Sequence, residues 1–257
     1  NVMKNVAVAL ELIHMASLVH DDVIDDADLR RGQPTVKAKW DNKTAMYTGD
    51  FIFALSLELM TDINKPLAHK ILANTIVEVS IGEIQQIKDK YRFNQNLRDY
   101  LRRIKRKTAL LISASCQLGA IAADVEESIH QKLYLFGYYV GMSFQIIDDI
   151  LDFTSSEEEL GKPAGSDLLQ GNITAPALYA MENESIRLEI EKVHQDMEPA
   201  QIQKIIRLIK ESDAIEKSIA LSDMYLDKAL AVLEEIPANK AKKTLRDIAK
   251  FIGRRKY

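Results

Sequence analysis

The apolar residues of this chain recur three and four positions apart almost from end to end, and that spacing constrains the fold more than any other feature. Val2, Val6, Ala9, Leu10, Ile13, Ser17 and Leu18 set the pattern and predict a first helix that reaches Asp25. The same spacing predicts helices over about 43–61, 66–90, 96–123 and 127–152, and shorter ones over about 174–182, 185–196, 199–210, 212–234 and 239–252. Punctuation is sparse. The 257 residues include 10 glycines and 6 prolines, roughly half the usual share, and a β-sandwich, barrel or propeller needs many more turn residues. The expected architecture is therefore all-α, one helical-bundle domain over residues 1–257. A turn carries Arg31-Gly32-Gln33-Pro34, and one long loop runs from Thr154 to Asn172 with Gly161, Pro163, Gly165 and Gly171. Loops of that length inside a compact domain are usually functional. No linker and no tandem repeat interrupts the pattern.

With 47% apolar and 28% charged residues the chain is not disordered. A net charge of −4 argues against a nucleic-acid binder. The single cysteine, Cys116, can neither close an internal disulfide nor build a thiolate metal site, which fits a reducing, cytoplasmic setting. The longest uncharged stretch, Thr108 to Ala123, contains Ser113, Ser115 and Gln117 and is short for a membrane span.

Two acidic clusters share one pattern. Asp21-Asp22-Val23-Ile24-Asp25 and Asp148-Asp149-Ile150-Leu151-Asp152 both read DDxxD with aliphatic spacers. Chance places two such clusters in fewer than about one chain of this kind in a hundred. On a helix, residues four apart lie about 40° apart, so each cluster presents two carboxylates on one face. Helix capping would place them at N-terminal ends, where the dipole favours anions. Here each follows a long apolar stretch and falls at a C-terminal end. The dipole and the like-charge pair oppose that placement by a few tenths of a kcal/mol each. A bound cation resolves the conflict, and a hard divalent ion such as Mg²⁺ with phosphate oxygens in its shell answers it best. Arg30 and Arg31 follow the first cluster, Lys107 opens the uncharged stretch, and Lys162 lies in the long loop. Acid and base gathered in this way suit a metal-bridged diphosphate.

On these residues the chain resembles the trans-prenyl diphosphate synthases. DDVIDDADLRRGQPT (21–35) is similar to the family's first aspartate-rich motif and GMSFQIIDDILD (141–152) to its second. Gly49-Asp50, GEIQQ (82–86), KTALL (107–111) and GKPAGSDLLQGNITAPAL (161–178) fall between and after them in family order, and Arg254-Arg255-Lys256 resembles the family's basic terminus. Within the family the likeness is strongest to the larger, catalytic subunits of bacterial two-component heptaprenyl synthases. The resemblance implies an isoprenoid synthase fold around a central cavity, usually dimeric, with the two motifs facing each other and holding three Mg²⁺ ions on an allylic diphosphate. By position, Asp21, Asp25 and Asp148 are then direct ligands, with Asp22, Asp149 and Asp152 in support and Asp89 assisting. Arg30, Lys107 and Lys162 correspond to contacts of the allylic diphosphate, and Arg31 to a contact of isopentenyl diphosphate. Arg254 and Arg255 correspond to further substrate contacts. Gln86, Thr108 and Gln145 match polar groups beside the reacting carbons. His14 and His20 are expected to pack or support. No His or Cys nucleophile is required.

The implied activity is Mg²⁺-dependent condensation of farnesyl diphosphate with isopentenyl diphosphate to a long all-trans product. Heptaprenyl diphosphate for a menaquinone side chain is the first expectation, with hexaprenyl or octaprenyl diphosphate as alternatives. Implied partners are a second subunit, either a like copy or a small non-catalytic one, and a transient membrane surface for product release. The family's Gly-Lys-Arg motif would precede Asn1, so the chain is expected to continue upstream, and Asn172 stands where many relatives carry lysine. Small side chains at Ala16 and Ser17, one turn before Asp21, leave room for a growing tail, with Ile13 and Leu12 about 5.4 Å deeper and Ala9 a turn beyond. A class I terpene cyclase would replace the second motif with an Asn/Ser/Glu-type triad, a squalene-type synthase would show DxxxD pairs, and a non-catalytic subunit would lose the aspartates.

Overall fold

The computed structural model describes residues 2–30, 32–155 and 164–253. Helices dominate: α1 (Val2–Ile24), α2 (Val36–Lys39), α3 (Asn42–Thr61), α4 (Pro66–Asp89), α5 (Leu97–Ile104), α6 (Leu110–Ala122) and α7 (Glu127–Thr154). They are followed by α8 (Ser166–Leu169), α9 (Ala175–Ala180), α10 (Glu184–Ile190), α11 (Pro199–Glu211), α12 (Ala214–Glu234) and α13 (Lys240–Gly253). Extended pairing among the described residues is confined to a two-stranded hairpin, β1 (Leu29–Arg30) against β2 (Gln33–Pro34), antiparallel with Arg30 opposite Gln33. The all-α expectation holds.

Two compact units form, residues 1–72 with 118–126, and residues 73–117 with 127–257. In the first, α1 lies along α3. Its buried face is Val6, Ala9, Ile13, Ala16, Val19 and Asp22, three or four apart, as one helical stripe requires. By length and composition α1 could cross a membrane. It carries Glu11, Asp21 and Asp22, however, and its apolar stripe is already used inside its own unit. Asp41 caps α3 by accepting a 2.6 Å hydrogen bond from the Thr44 amide.

The second unit is built on α7, which packs chiefly against α12. Phe136, Val140, Leu226, Ala229 and Leu233 fill one part of that core, and Tyr100, Met142, Ile146 and Ile150 another. Three local expectations need correction. The helix predicted over 96–123 is interrupted by a π-turn, Lys105–Ala109. The helix predicted over 185–196 ends at Ile190, although burial continues to Val193 and so the apolar spacing runs past the last helical hydrogen bond. The loop predicted over 154–172 contains α8, a single turn seeded by Asp152, whose carboxylate accepts from the Asp167 amide (3.1 Å) and the Ser166 hydroxyl (3.0 Å).

Candidate active site

The first acidic cluster closes α1, with no basic residue in the last turn. Asp21 and Asp25 are half-buried, whereas Asp22 is 4% exposed. The hairpin returns Arg30 to it, and Arg30 Nε donates to Asp22 Oδ1 at 2.7 Å. Thr35 fixes the exit of this turn by donating to the Ala27 carbonyl (2.8 Å) and accepting from the Ala38 amide (3.1 Å). His20 Nε2 lies 3.2 Å from both Asp50 Oδ1 and the Met46 carbonyl, tying the end of α1 to α3. His14 supplies the carbonyl that accepts from the Ser17 hydroxyl at 2.8 Å. Ala16 and Ile13 are buried on the stripe of α1, while Ser17 and Leu12 are half-buried beside it. Ser17 is four residues before Asp21 and so lies on the same strip of the helix.

The second cluster closes α7, again with no basic residue in the last turn. Asp148 is exposed; Asp149 and Asp152 are 3% and 2% exposed. Asp149 accepts from Tyr100 Oη (2.6 Å) and Gln145 Nε2 (2.9 Å), and Gln145 Oε1 accepts from Thr108 Oγ1 at 2.5 Å. Burial pushes the Asp149 carboxyl up to about 7. The charge of Asp167 adds to the rise, the Tyr100 and Gln145 hydrogen bonds oppose it, and Asp148 adds the smallest contribution. Burial likewise raises the Tyr100 phenol well above its ordinary value.

Lys107 and Thr108 sit on the π-turn, and two glycines let neighbouring helices reach it. A Cβ on Gly141 of α7 would stand 2.6 Å from Ala109 Cα, and one on Gly82 of α4 would stand 2.7 Å from Arg106 Cβ and 3.2 Å from the Lys107 nitrogen. Lys107 Nζ is 3.7 Å from Glu83 Oε2. Gln86, one turn on, is buried. Asp89 ends α4 with one oxygen 3.2 Å from Arg92, while its Oδ2 is buried with no hydrogen-bond partner among the described residues. Arg31, Lys162, Arg254 and Arg255 lie outside the described residues.

Among the described residues no three His, Cys, Asp or Glu side chains form a ready metal cage. Mg²⁺ commonly takes one or two carboxylates and completes its shell with water and substrate phosphates. The orphaned Asp89 oxygen fits such an ion, since a buried acceptor without a donor is costly until a cation or water reaches it. Sequence reasoning missed Tyr100 and Arg103. Arg103 is 4% exposed and donates to Gln95 Oε1 (2.6 Å) and to the Ile173 carbonyl. Burial lowers its pKa, opposed by Asp149 and Tyr100. No local pattern marks either of them, since a tyrosine at an apolar position reads as core and an arginine three residues on as solvent face.

Within the second unit, paired aspartates at the C-terminal end of α7 stand beside a lysine-bearing π-turn, an arrangement suited to an enzyme that acts on diphosphates. The polyprenyl synthetase family profile matches residues 1–211, and the chain belongs to that family. It is 66% identical over 255 residues to heptaprenyl diphosphate synthase component 2 of Geobacillus stearothermophilus, covering 99% of this chain and 80% of the relative. Heptaprenyl diphosphate synthase of Staphylococcus aureus superposes with a TM-score of 0.95 at 48% identity, over 98% of this chain and 79% of that one. A polyprenyl synthase of Caulobacter crescentus CB15, solved with calcium and isoprenyl diphosphate, gives 0.93 at 34% identity, over 98% and 78%. The chain is a trans-prenyltransferase.

Proposed function

We propose that this enzyme extends farnesyl diphosphate with successive isopentenyl diphosphate units to heptaprenyl diphosphate, with Mg²⁺ as cofactor. The observation that carries the reading is the repeated one: two DDxxD clusters at helix C-termini, neither with a basic residue in the last turn. Such ends hold a cation more readily than any other charge. Calcium in the Caulobacter relative supports a divalent ion here, and the relatives named as heptaprenyl synthases support the product length. Asp21, Asp25 and Asp148 are the proposed direct ligands, and about three ions are expected by family likeness. When bound, Mg²⁺ neutralises charge on the departing diphosphate.

The chain's own residues do the rest. Arg30, Lys107 and Lys162 bind the allylic diphosphate, Arg31 binds isopentenyl diphosphate, and Arg254 and Arg255 are further substrate contacts. Asp22, Asp149 and Asp152 hold their neighbours in place. Gln86, Thr108 and Gln145 are the polar groups beside the reacting carbons, with Gln145 held between Asp149 and Thr108. As the allylic carbon–oxygen bond breaks, its electron pair leaves with the diphosphate. The double bond of isopentenyl diphosphate then attacks the allylic carbon, and a proton is lost. Ala16 and Ser17, then Ile13 and Leu12, leave the tail its course. A second subunit, like or small and non-catalytic, is supported by the exposed aliphatic stripe Val77, Ile81, Ile84 and Ile87 on α4, and by the word component in the relative's name. The setting is the cytoplasm, with product released at a membrane surface.

The test is Mg²⁺-dependent diphosphate release from farnesyl diphosphate, with and without isopentenyl diphosphate, followed by chromatography of the products. Release that needs both substrates and ends at C35 supports the reading. Release with farnesyl diphosphate alone would indicate a cyclase, and products ending at C30 or C40 would revise the length.

A further inference from the structure

Helix α5 runs directly into the π-turn, and α7 packs on both. Tyr100, on α5, has no solvent exposure, and its hydroxyl donates to one oxygen of Asp149 at 2.6 Å. The other oxygen accepts from the Gln145 amide at 2.9 Å. An ionised carboxylate can only accept, so donors at both oxygens fix its plane. Gln145 is fixed in turn, because its nitrogen faces Asp149 while its oxygen accepts from Thr108 at 2.5 Å. The chain of bonds thus leaves α5, crosses about one turn of α7 and returns to the π-turn. Arg103, one helical turn beyond Tyr100, closes the back of it. Its guanidinium is buried, 5.8 Å from the centre of the Tyr100 ring, and bonded to Gln95 and the Ile173 carbonyl.

We propose that Tyr100 is a positioning residue for prenyl transfer, holding Asp149 so that Asp148 beside it and Thr108 on the π-turn keep the arrangement that receives a metal-bound diphosphate. The inference rests on the reading of Asp148 as a metal ligand. Partners bonded directly to a metal ligand affect metal affinity or rate by about 10- to 100-fold when removed. Tyr100 acts one residue further out, through Asp149, so the lower end of that range is expected. A hydroxyl that merely satisfied a buried acceptor would affect stability alone.

Tyr100→Phe keeps the ring and removes the one donor. In the full chain with its partner subunit, kcat is expected to fall about 10-fold, with the half-saturating Mg²⁺ concentration raised on the same scale. Melting-temperature shifts with Mg²⁺ plus inorganic diphosphate give a readout independent of turnover, and the variant should need more Mg²⁺ than wild type for the same shift. In an Asp149→Ala background the second substitution should cost little further, because its effect passes through Asp149. A lower melting temperature with unchanged kcat and unchanged Mg²⁺ dependence would overturn the inference, as would losses that multiply in the double variant. Should Tyr100→Phe not fold, Gln145→Leu breaks the same chain at its middle, and an unchanged Mg²⁺ requirement there overturns it equally. Asp148→Ala separates the two levels: if that variant is active the metal reading fails, and if it is inactive while Tyr100→Phe is normal only the positioning role fails.

Discussion

The clusters at the ends of α1 and α7 share a sequence pattern and a place on the helix, yet the protein holds them by different physics. Asp22 is met by a charge, Arg30, carried back by a hairpin eight residues on. Asp149 is met by neutral donors, Tyr100 and Gln145, and Asp152 by the start of α8. A guanidinium partner supplies opposite charge as well as a hydrogen bond; a phenol and an amide supply only the bond. Burial raises the Asp149 carboxyl to about 7, with the charge of Asp167 adding to the rise and the Tyr100 and Gln145 bonds opposing it. The first cluster depends on one short turn, whereas the second depends on the packing of α5, the π-turn and α7. One motif, repeated, therefore has two different points of weakness.

The largest effects should be equal at the two ends. Asp21→Ala and Asp148→Ala are each expected to lower turnover by about 100-fold or more, since each removes a group acting where leaving-group charge develops. Near-normal turnover of either at saturating Mg²⁺ would break the equivalence. Next comes Gly141→Ala, whose Cβ would meet Ala109 Cα at 2.6 Å. A stability loss of about 1–3 kcal/mol is expected from overpacking, with reduced turnover because the π-turn shifts; denaturant unfolding and kinetics on the same sample check both. Arg30→Ala should weaken the α1 cluster and leave the α7 cluster intact, with weaker binding of the allylic diphosphate as well. Its side chain is 38% exposed, so the stability loss is held to about 1 kcal/mol by solvent screening, and Asp22→Asn in the same chain should restore part of it. The smallest effect on rate belongs to Ser17→Phe. Ser17 is half-buried on the Asp21 strip, whereas Ala16 is 1% exposed and a tyrosine there would crowd the core. Products from Ser17→Phe should shorten while the first condensation continues, and an unchanged product length would remove α1 from the course of the tail.

The helices and the two acidic ends were legible in the sequence because each is a local pattern: apolar spacing in one case, carboxylates after a long apolar run in the other. The π-turn was not, since apolar spacing does not register the altered hydrogen bonding of residues 105–109; what marks it is the approach of Gly82 and Gly141. Tyr100 and Arg103 were hidden for a related reason. A tyrosine at an apolar position reads as core and an arginine three residues on reads as solvent face, and only tertiary packing buries both against Asp149 and Ile173. The end of α10 at Ile190 was missed because Val193 keeps the apolar rhythm beyond the helix.

On the proposed function, both clusters serve one departing diphosphate. Diphosphate release from farnesyl and isopentenyl diphosphates, measured at saturating Mg²⁺ in wild type, Asp21→Ala, Asp148→Ala and the double variant, tests it most directly. If one metal-bound assembly does the work, the double variant should be about as slow as the slower single variant, because groups that act as a unit are not additive. Losses that multiply in the double variant would contradict the account.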